Sequence, residues 1–230
     1  LAAGAAVAEK FLEARLGSTM MQHKIYAYIS DGAVEEEISQ GVGRIAGNLG
    51  LNNLIMFYDS NDIQLSTECG LVMTENTEMK YKAWGWNVIK INGNDVAQIR
   101  EALTAAQQEQ ERPTLIIGKT VMGKGALRAD GTSYEACINT HGAPLGGDAY
   151  INTIKHLGGD PENPFQIFPE VKKLYDDRAA ELRELCNNKY EAYYEWKQAN
   201  PLSANEYETF MSGEAPCVDW SLIQQKAGAA

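Results

Sequence analysis

Four short apolar runs, each separated from the next by a segment with helical spacing, constrain this chain more than anything else in it. The runs are residues 24–29 (KIYAYI), 54–58 (LIMFY), 87–91 (NVIKI) and 114–118 (TLIIG). Between them lie residues 33–49, with Val34, Ile38, Val42, Ile45 and Leu49 at helical intervals, then 77–84 and 95–110. LIMFY is continuously apolar, as a strand covered on both faces must be. Strands alternating with helices pair in parallel through right-handed crossovers, so the expected fold class is α/β, a doubly wound parallel sheet flanked by helices. Ligands in such folds bind beyond the carboxyl ends of the strands. That rule points to three loops, residues 30–32, 59–65 and 119–146.

The flanks read differently. The opening LAAGAAVAEKFLEARLG is a helix with Val7, Phe11 and Leu12 on one face and Gly17 as its C′ cap. It starts inside an Ala-rich helix without Met, and QQKAGAA ends as abruptly, so the chain is expected to be a piece of a longer one. After Gly147 a short helix at 148–158 and a Gly/Pro loop lead to a long charged helix at 171–198. Val171, Leu174, Leu182, Leu185, Tyr193 and Trp196 are expected on its buried side, and Pro201 follows its end. The organisation expected is a ligand-binding domain over residues 1–168 and a helical connector arm over 169–230.

Charge narrows the ligands. With 31 acidic and 20 basic residues the net charge is -11, and no Lys/Arg cluster suggests nucleic acid or an anionic membrane. Charges interrupt every apolar stretch before it could span a bilayer. Cys69, Cys137, Cys186 and Cys217 lack CxxC spacing and read as reduced thiols of a cytoplasmic protein, not as a zinc site or disulfide frame. An anionic ligand therefore needs local devices, such as a metal, a helix start or backbone amides.

Asp31 and Asn61 supply such a device. They stand 30 positions apart, each just past a strand end, so adjacent strands would bring them together. A carboxylate, an amide oxygen and a loop carbonyl form a hard oxygen site for Mg²⁺ or Ca²⁺. Gly32 permits close backbone approach, and the helix that follows aims its N–H groups at an anion. Taken singly, Asp31 could be a helix N-cap and Asn61 a turn residue; together they favour a metal-bridged diphosphate. GKTVMGKG lacks the order of a phosphate-binding P-loop. His23 and His156 read as structural, and Trp84, Trp86 and the Tyr190, Tyr193, Tyr194 group as core or interface packing.

SDG followed by Asn61 resembles the thiamine diphosphate fingerprint, GDG and then an Asn roughly thirty residues on. The stretches SDGAVEEEIS, GNLGLNNLIMFYDSNDI, AWGWNVIKINGND, RPTLIIGKTVMGKG and THGAPLGGD resemble the diphosphate-binding domain of transketolases, from about residue 2 to Tyr207. The resemblance implies that Asp31 and Asn61 ligate Mg²⁺ or Ca²⁺ by their side chains and Ile63 by its backbone carbonyl. It implies that the Gly32 amide contacts the diphosphate, that Leu65 packs on the cofactor, and that His141 binds donor sugar and transfers protons. Glu36 matches an acid that couples the two active sites of a homodimer, although Glu35, Glu36 and Glu37 would also suit the first turn of a helix. Leu65 could equally be plain core.

Three departures stand out: Ser30 for the first Gly, Glu37 for a common Gly, and Ser66-Thr67-Glu68 for an Asp-Gly turn. The implied activity is transfer of a two-carbon ketol unit from a ketose phosphate to an aldose phosphate in the pentose phosphate pathway. A pyrimidine-binding domain of the same enzyme, supplied by the partner subunit, completes such a site, so the 230 residues alone are expected to bind metal weakly and not to turn over. Dihydroxyacetone synthase and a thiamine-dependent dehydrogenase component share much of this pattern. A non-catalytic thiamine diphosphate-binding or assembly module is the reading from another class.

Overall fold

The computed structural model describes residues 1–17, 21–215, 217–223 and 228. Helix α1 (Ala2–Leu16) is followed by strand β1 (Ile25–Ser30), a one-turn helix α2 (Asp31–Glu35), α3 (Glu37–Asn48) and β2 (Leu54–Ser60). Then come α4 (Thr77–Ala83), β3 (Asn87–Asn92), α5 (Val96–Gln108), β4 (Thr114–Lys119), α6 (Gly147–His156), α7 (Pro169–Ala199) and α8 (Pro201–Met211). The four strands form one sheet in the order β1-β2-β4-β3, every pair parallel. The doubly wound expectation holds, because helices pack on both faces.

Alternate residues of each strand feed different faces, as the pleat requires. Leu54, Tyr58, Leu115 and Ile117 meet Ala6 of α1, Val34 of α2, Ala46 of α3 and Tyr81 of α4. Ile55 and Ile116 meet Ala102 and Ala106 of α5 on the other face. α5 covers that face mainly over β3 and β4, reaching Ile55 of β2. On β1, Tyr26 and Tyr28 stay exposed, Tyr28 stacking on Phe57 at 5.4 Å.

Local signals set the helix ends. Asp95 Oδ1 accepts from the Ala97 and Gln98 amides at 2.9 and 3.2 Å, and Asn76 Oδ1 from Met79 at 3.0 Å, so both are side-chain N-caps. Gly17 caps α1 with φ 61°, its amide bonded to the Glu13 carbonyl at 3.0 Å.

The buried faces of three helices differ from those the apolar spacing suggested. In α1, Val7 and Phe11 are exposed, while Ala6, Glu9 and Leu16 are buried. Glu9 accepts from the Asn53 amide and from the His23 backbone N–H at 3.3 Å, tying α1 to the base of the sheet. Phe11 instead meets Phe210 of α8 edge-on at 6.0 Å. In α3, Ile38, Val42, Ile45 and Leu49 form an outward stripe, Ile38 at 81% exposure, and the buried side is Gly43 and Ala46. Two tryptophans explain this: Trp86 Nε1 donates to the Gly43 carbonyl at 2.8 Å, and Trp84 lies against Gly43 and Gly47. Rings this large need small residues opposite, so glycine and alanine win the inner face over isoleucine.

Helix α7 also departs from expectation, with none of its residues buried. At about 46 Å for 31 residues it outruns the surface available to it. Val171, Leu174, Leu182 and Leu185 remain exposed. Only near its end do Tyr193 and Trp196 gain partners, clustering with Tyr207 of α8 at 6.1 and 6.4 Å. Trp86 is core, and Trp84 packs beside it.

Tyr81 is the largest fully buried side chain, and its hydroxyl has no hydrogen-bond partner among the described residues. Burial pushes its phenol up to about 12. The folded value lies above the unfolded one, so this group's contribution to stability is intact below about pH 10 and fades as pH climbs toward 12. Tyr81→Phe removes an unpaired buried hydroxyl and should add about 1 kcal/mol. Urea unfolding at pH 7 checks the gain, and the variant's stability should fall less steeply above pH 10. A Tyr81→Phe protein less stable than the parent would mean that the hydroxyl is bonded.

Candidate functional site

Pairing β1 with β2 in register, Ser30 opposite Asp59, places the next residues of both strands side by side at the carboxyl edge of the sheet. Asp31 follows β1 directly and is 1% exposed. Its Oδ2 accepts from the Asn61 backbone N–H at 2.9 Å, and its Oδ1 from the Tyr58 hydroxyl at 2.6 Å. Asn61 Oδ1 in turn accepts from the Ile63 amide at 3.0 Å. Asp31, Asn61 and Ile63 are thus joined in one hydrogen-bonded corner.

The N-cap reading of Asp31 fails, since its carboxylate bonds across to β2 and not to its own helix. The turn reading of Asn61 is correct as far as it goes, and the amide oxygen keeps a second lone pair. Ile63 is buried, and its carbonyl accepts no hydrogen bond among the described residues. The loop is held by a bridge between Ile63 and Glu68, with the Gln64 amide on the Thr67 carbonyl at 3.0 Å and the Cys69 amide on Asp62 at 2.9 Å. Asp62 takes a left-handed φ of 68°, which aspartate tolerates better than most residues, and its carboxylate pairs with Lys119 from the end of β4.

The expected single helix over 33–49 is two. It breaks at Glu36, where ψ is 133°, and Gln40 Nε2 takes up the Glu35 carbonyl at 2.9 Å. The helix start beyond Asp31 is therefore one turn of amides and not the end of a long dipole. Glu36 is exposed at the break, while the neighbouring Glu35 has a buried Oε1 with no partner among the described residues. Gly32 carries a plain backbone, and a Cβ built there would meet only Gln64, at 3.7 Å. Nothing in the protein's own packing demands glycine at 32.

Leu65 is 76% exposed, which overturns the plain-core alternative. His141 sits on a separate loop, after a 3-10 turn at Ile138–Thr140, with its amide on the Ile138 carbonyl at 2.9 Å. Its Nδ1 is buried and unpartnered among the described residues. No hydrogen bond joins it to the Asp31 corner among those residues. His23 is structural as expected, its Nδ1 on the Met21 carbonyl at 2.8 Å.

The corner opens into a cleft of about 580 Å³ bordered by Asp31, Tyr58, Cys69, Thr74, Lys90 and Lys119. Burial, then the Asp31 carboxylate it donates to, pushes the Tyr58 phenol far above its ordinary range. The Cys69 thiol is pushed up to about 11, by burial first and by the Asp31 charge second. Both groups therefore stay neutral donors beside Asp31 at neutral pH. Sequence reasoning missed Tyr58, Cys69 and Gln64. Tyr58 was within reach, because strand alternation puts it on the same face as Leu54; the other two depend on how the 61–69 loop folds.

The donor set fits a divalent cation: one carboxylate, one amide oxygen and one free carbonyl, all hard oxygens, with too few protein ligands to close the shell. No group of three or more His, Cys, Asp or Glu that could hold a metal ion exists among the described residues.

A family model described as the transketolase thiamine diphosphate binding domain matches residues 1–216. Transketolase 1 of Escherichia coli is 37% identical over 221 residues, covering 94% of this chain and 32% of its own length. Among solved structures, the transketolase of Leishmania mexicana superposes with a TM-score of 0.86 at 29% identity, covering 94% of this chain and 32% of its own. A transketolase of Pichia stipitis in complex with sedoheptulose 7-phosphate gives 0.84 at 26% identity, with the same coverage. The chain spans about a third of the length of these relatives. On fold and sequence, the chain belongs to the transketolase family, matching its thiamine diphosphate binding domain.

Proposed function

We propose that this chain is the part of a cytoplasmic transketolase that holds thiamine diphosphate through Mg²⁺ or Ca²⁺, and that the full-length protein moves a two-carbon ketol unit from a ketose phosphate to an aldose phosphate, as in the pentose phosphate pathway. The observation that carries it is the Asp31–Asn61–Ile63 oxygen corner at the carboxyl ends of β1 and β2. Asp31 and Asn61 offer side-chain oxygens and Ile63 its carbonyl to the metal, which offsets the repulsion between Asp31 and a diphosphate. When bound, the cofactor supplies the carbon nucleophile needed to cut a ketose beside its carbonyl. Gly32 presents its amide to the diphosphate, and exposed Leu65 offers apolar surface to the rings. His141 binds a donor hydroxyl and moves its proton, with Nδ1 the unpartnered atom.

Residues 1–168 form the cofactor domain and 169–230 the connector toward a pyrimidine-binding domain. The partners are phosphosugars, that domain, and a second copy of the enzyme. The outward stripe of Ile38, Val42, Ile45 and Leu49, next to Glu36, supports a homodimer and a role for Glu36 in coupling its sites. The 230 residues alone bind metal weakly and do not turn over, since they amount to a third of their relatives. The test is ketol transfer from xylulose 5-phosphate to ribose 5-phosphate by the full-length protein with thiamine diphosphate and Mg²⁺. Cofactor bound without any transfer would favour the non-catalytic module.

Gly32→Ala gives a narrower check. The added methyl finds ordinary contact with Gln64 and should leave the melting temperature unchanged. It should still weaken thiamine diphosphate binding by about tenfold, because the methyl crowds a phosphate that approaches the backbone closely while the amide N–H itself is kept. Unchanged affinity would remove Gly32 from the diphosphate site.

A further inference from the structure

Gln64 has no assigned part in the site, yet its side chain lies beside Gly32, next to Asp31. It follows Ile63 in the metal loop, and its backbone is pinned by the bond from its amide to Thr67. The side chain folds back over Gly32, with Oε1 3.7 Å and Cβ 3.8 Å from the point where a Gly32 Cβ would stand. Its Nε2 is buried and has no hydrogen-bond partner among the described residues. A buried amide nitrogen left unpaired costs about 1–3 kcal/mol, so most such groups are satisfied. The same amide group lies against Gly32 through its Oε1, so the unpaired donor is on the Gly32 side of the loop. The unpartnered Oε1 of Glu35 on the same corner is not bonded to it.

We propose that Gln64 is a further cofactor-positioning residue, whose Nε2 donates to the diphosphate alongside the Gly32 amide. This rests on the metal-bridged diphosphate reading above. A neutral donor suits the place: it binds an anion without competing with the metal for Asp31, as a lysine there would. The short loop between Ile63 and Glu68 couples metal and diphosphate, because one backbone segment supplies both the Ile63 carbonyl and the Gln64 amide group. Binding the metal and orienting the phosphates become one event.

The test uses full-length enzyme and measures equilibrium binding of thiamine diphosphate and of inorganic pyrophosphate, each with Mg²⁺, by calorimetry. Gln64→Met keeps length and removes the donor; Gln64→Glu keeps shape and places a carboxylate against the phosphates. Gln64→Met should weaken both ligands by a similar factor, about ten- to a hundredfold. Gln64→Glu should weaken both further. Gln64→Met also removes an unpaired buried donor, so the melting temperature of its cofactor-free protein should equal or exceed that of the parent, which separates a donor from a packing residue. Parent-like pyrophosphate affinity in Gln64→Met overturns the assignment, as does a loss seen only together with lowered stability. If the parent enzyme itself binds neither ligand, the diphosphate reading falls and Gln64 with it; if the parent binds and the variants match it, only Gln64 falls.

Discussion

Asp31→Ala in the full-length enzyme should lower Mg²⁺-dependent affinity for thiamine diphosphate by more than about a hundredfold, and ketol transfer at limiting cofactor should fall with it. Loss of an outer partner of a metal ligand typically costs about 10–100-fold, so loss of the ligand itself must exceed that range. Tyr58→Phe provides the internal scale. It removes the hydroxyl bonded to Asp31 Oδ1 at 2.6 Å and leaves the carboxylate, so it should fall within about 10–100-fold. Asp31→Ala also strands two donors, the Tyr58 hydroxyl and the Asn61 amide, at about 1–3 kcal/mol each. Asp31→Asn keeps the volume and removes the charge, so it distinguishes a folding defect from a missing ligand. Mg²⁺ titrations of cofactor binding read all three variants. If the metal dependence of Asp31→Ala matches the parent, Asp31 is not a ligand.

The second large effect is on stability. Gly47→Ala should destabilise the chain by about 3 kcal/mol or more, above the usual 1–3 kcal/mol for overpacking. A Cβ at 47 would lie 1.8 Å from the Trp84 carbonyl oxygen and 2.9 Å from its carbon. Both are backbone atoms, so no rotamer change relieves the clash, and α3 must lift from Trp84 and Trp86. For a chain of this length the melting temperature should drop by about 6–12 °C. Gly41, six residues earlier in the same helix, is the contrast. A Cβ there meets nothing within 4 Å, and Gly41→Ala should gain about 0.5–1 kcal/mol. Thermal denaturation of the two variants of the 230-residue chain decides the matter. Equal melting temperatures would show that α3 does not rest on Trp84 as described.

The strands, their parallel pairing and the neighbourhood of Asp31 and Asn61 follow from the sequence by itself. Apolar runs and helical spacing are local signals, and the handedness of crossovers converts their alternation into a sheet. Two residues just past the ends of adjacent parallel strands then have to meet, and they do. The tertiary structure alone decided which helical faces are buried. α3 turns glycine and alanine inward and isoleucine outward because Trp84 and Trp86, some forty residues on, take the space. It alone decided that the helix after Asp31 breaks at Glu36, that Tyr58 braces Asp31, and that Gln64 folds over Gly32 with an unpaired donor. Each of these is a contact between segments that no local period relates, so its energy exists only once the sheet has brought them together.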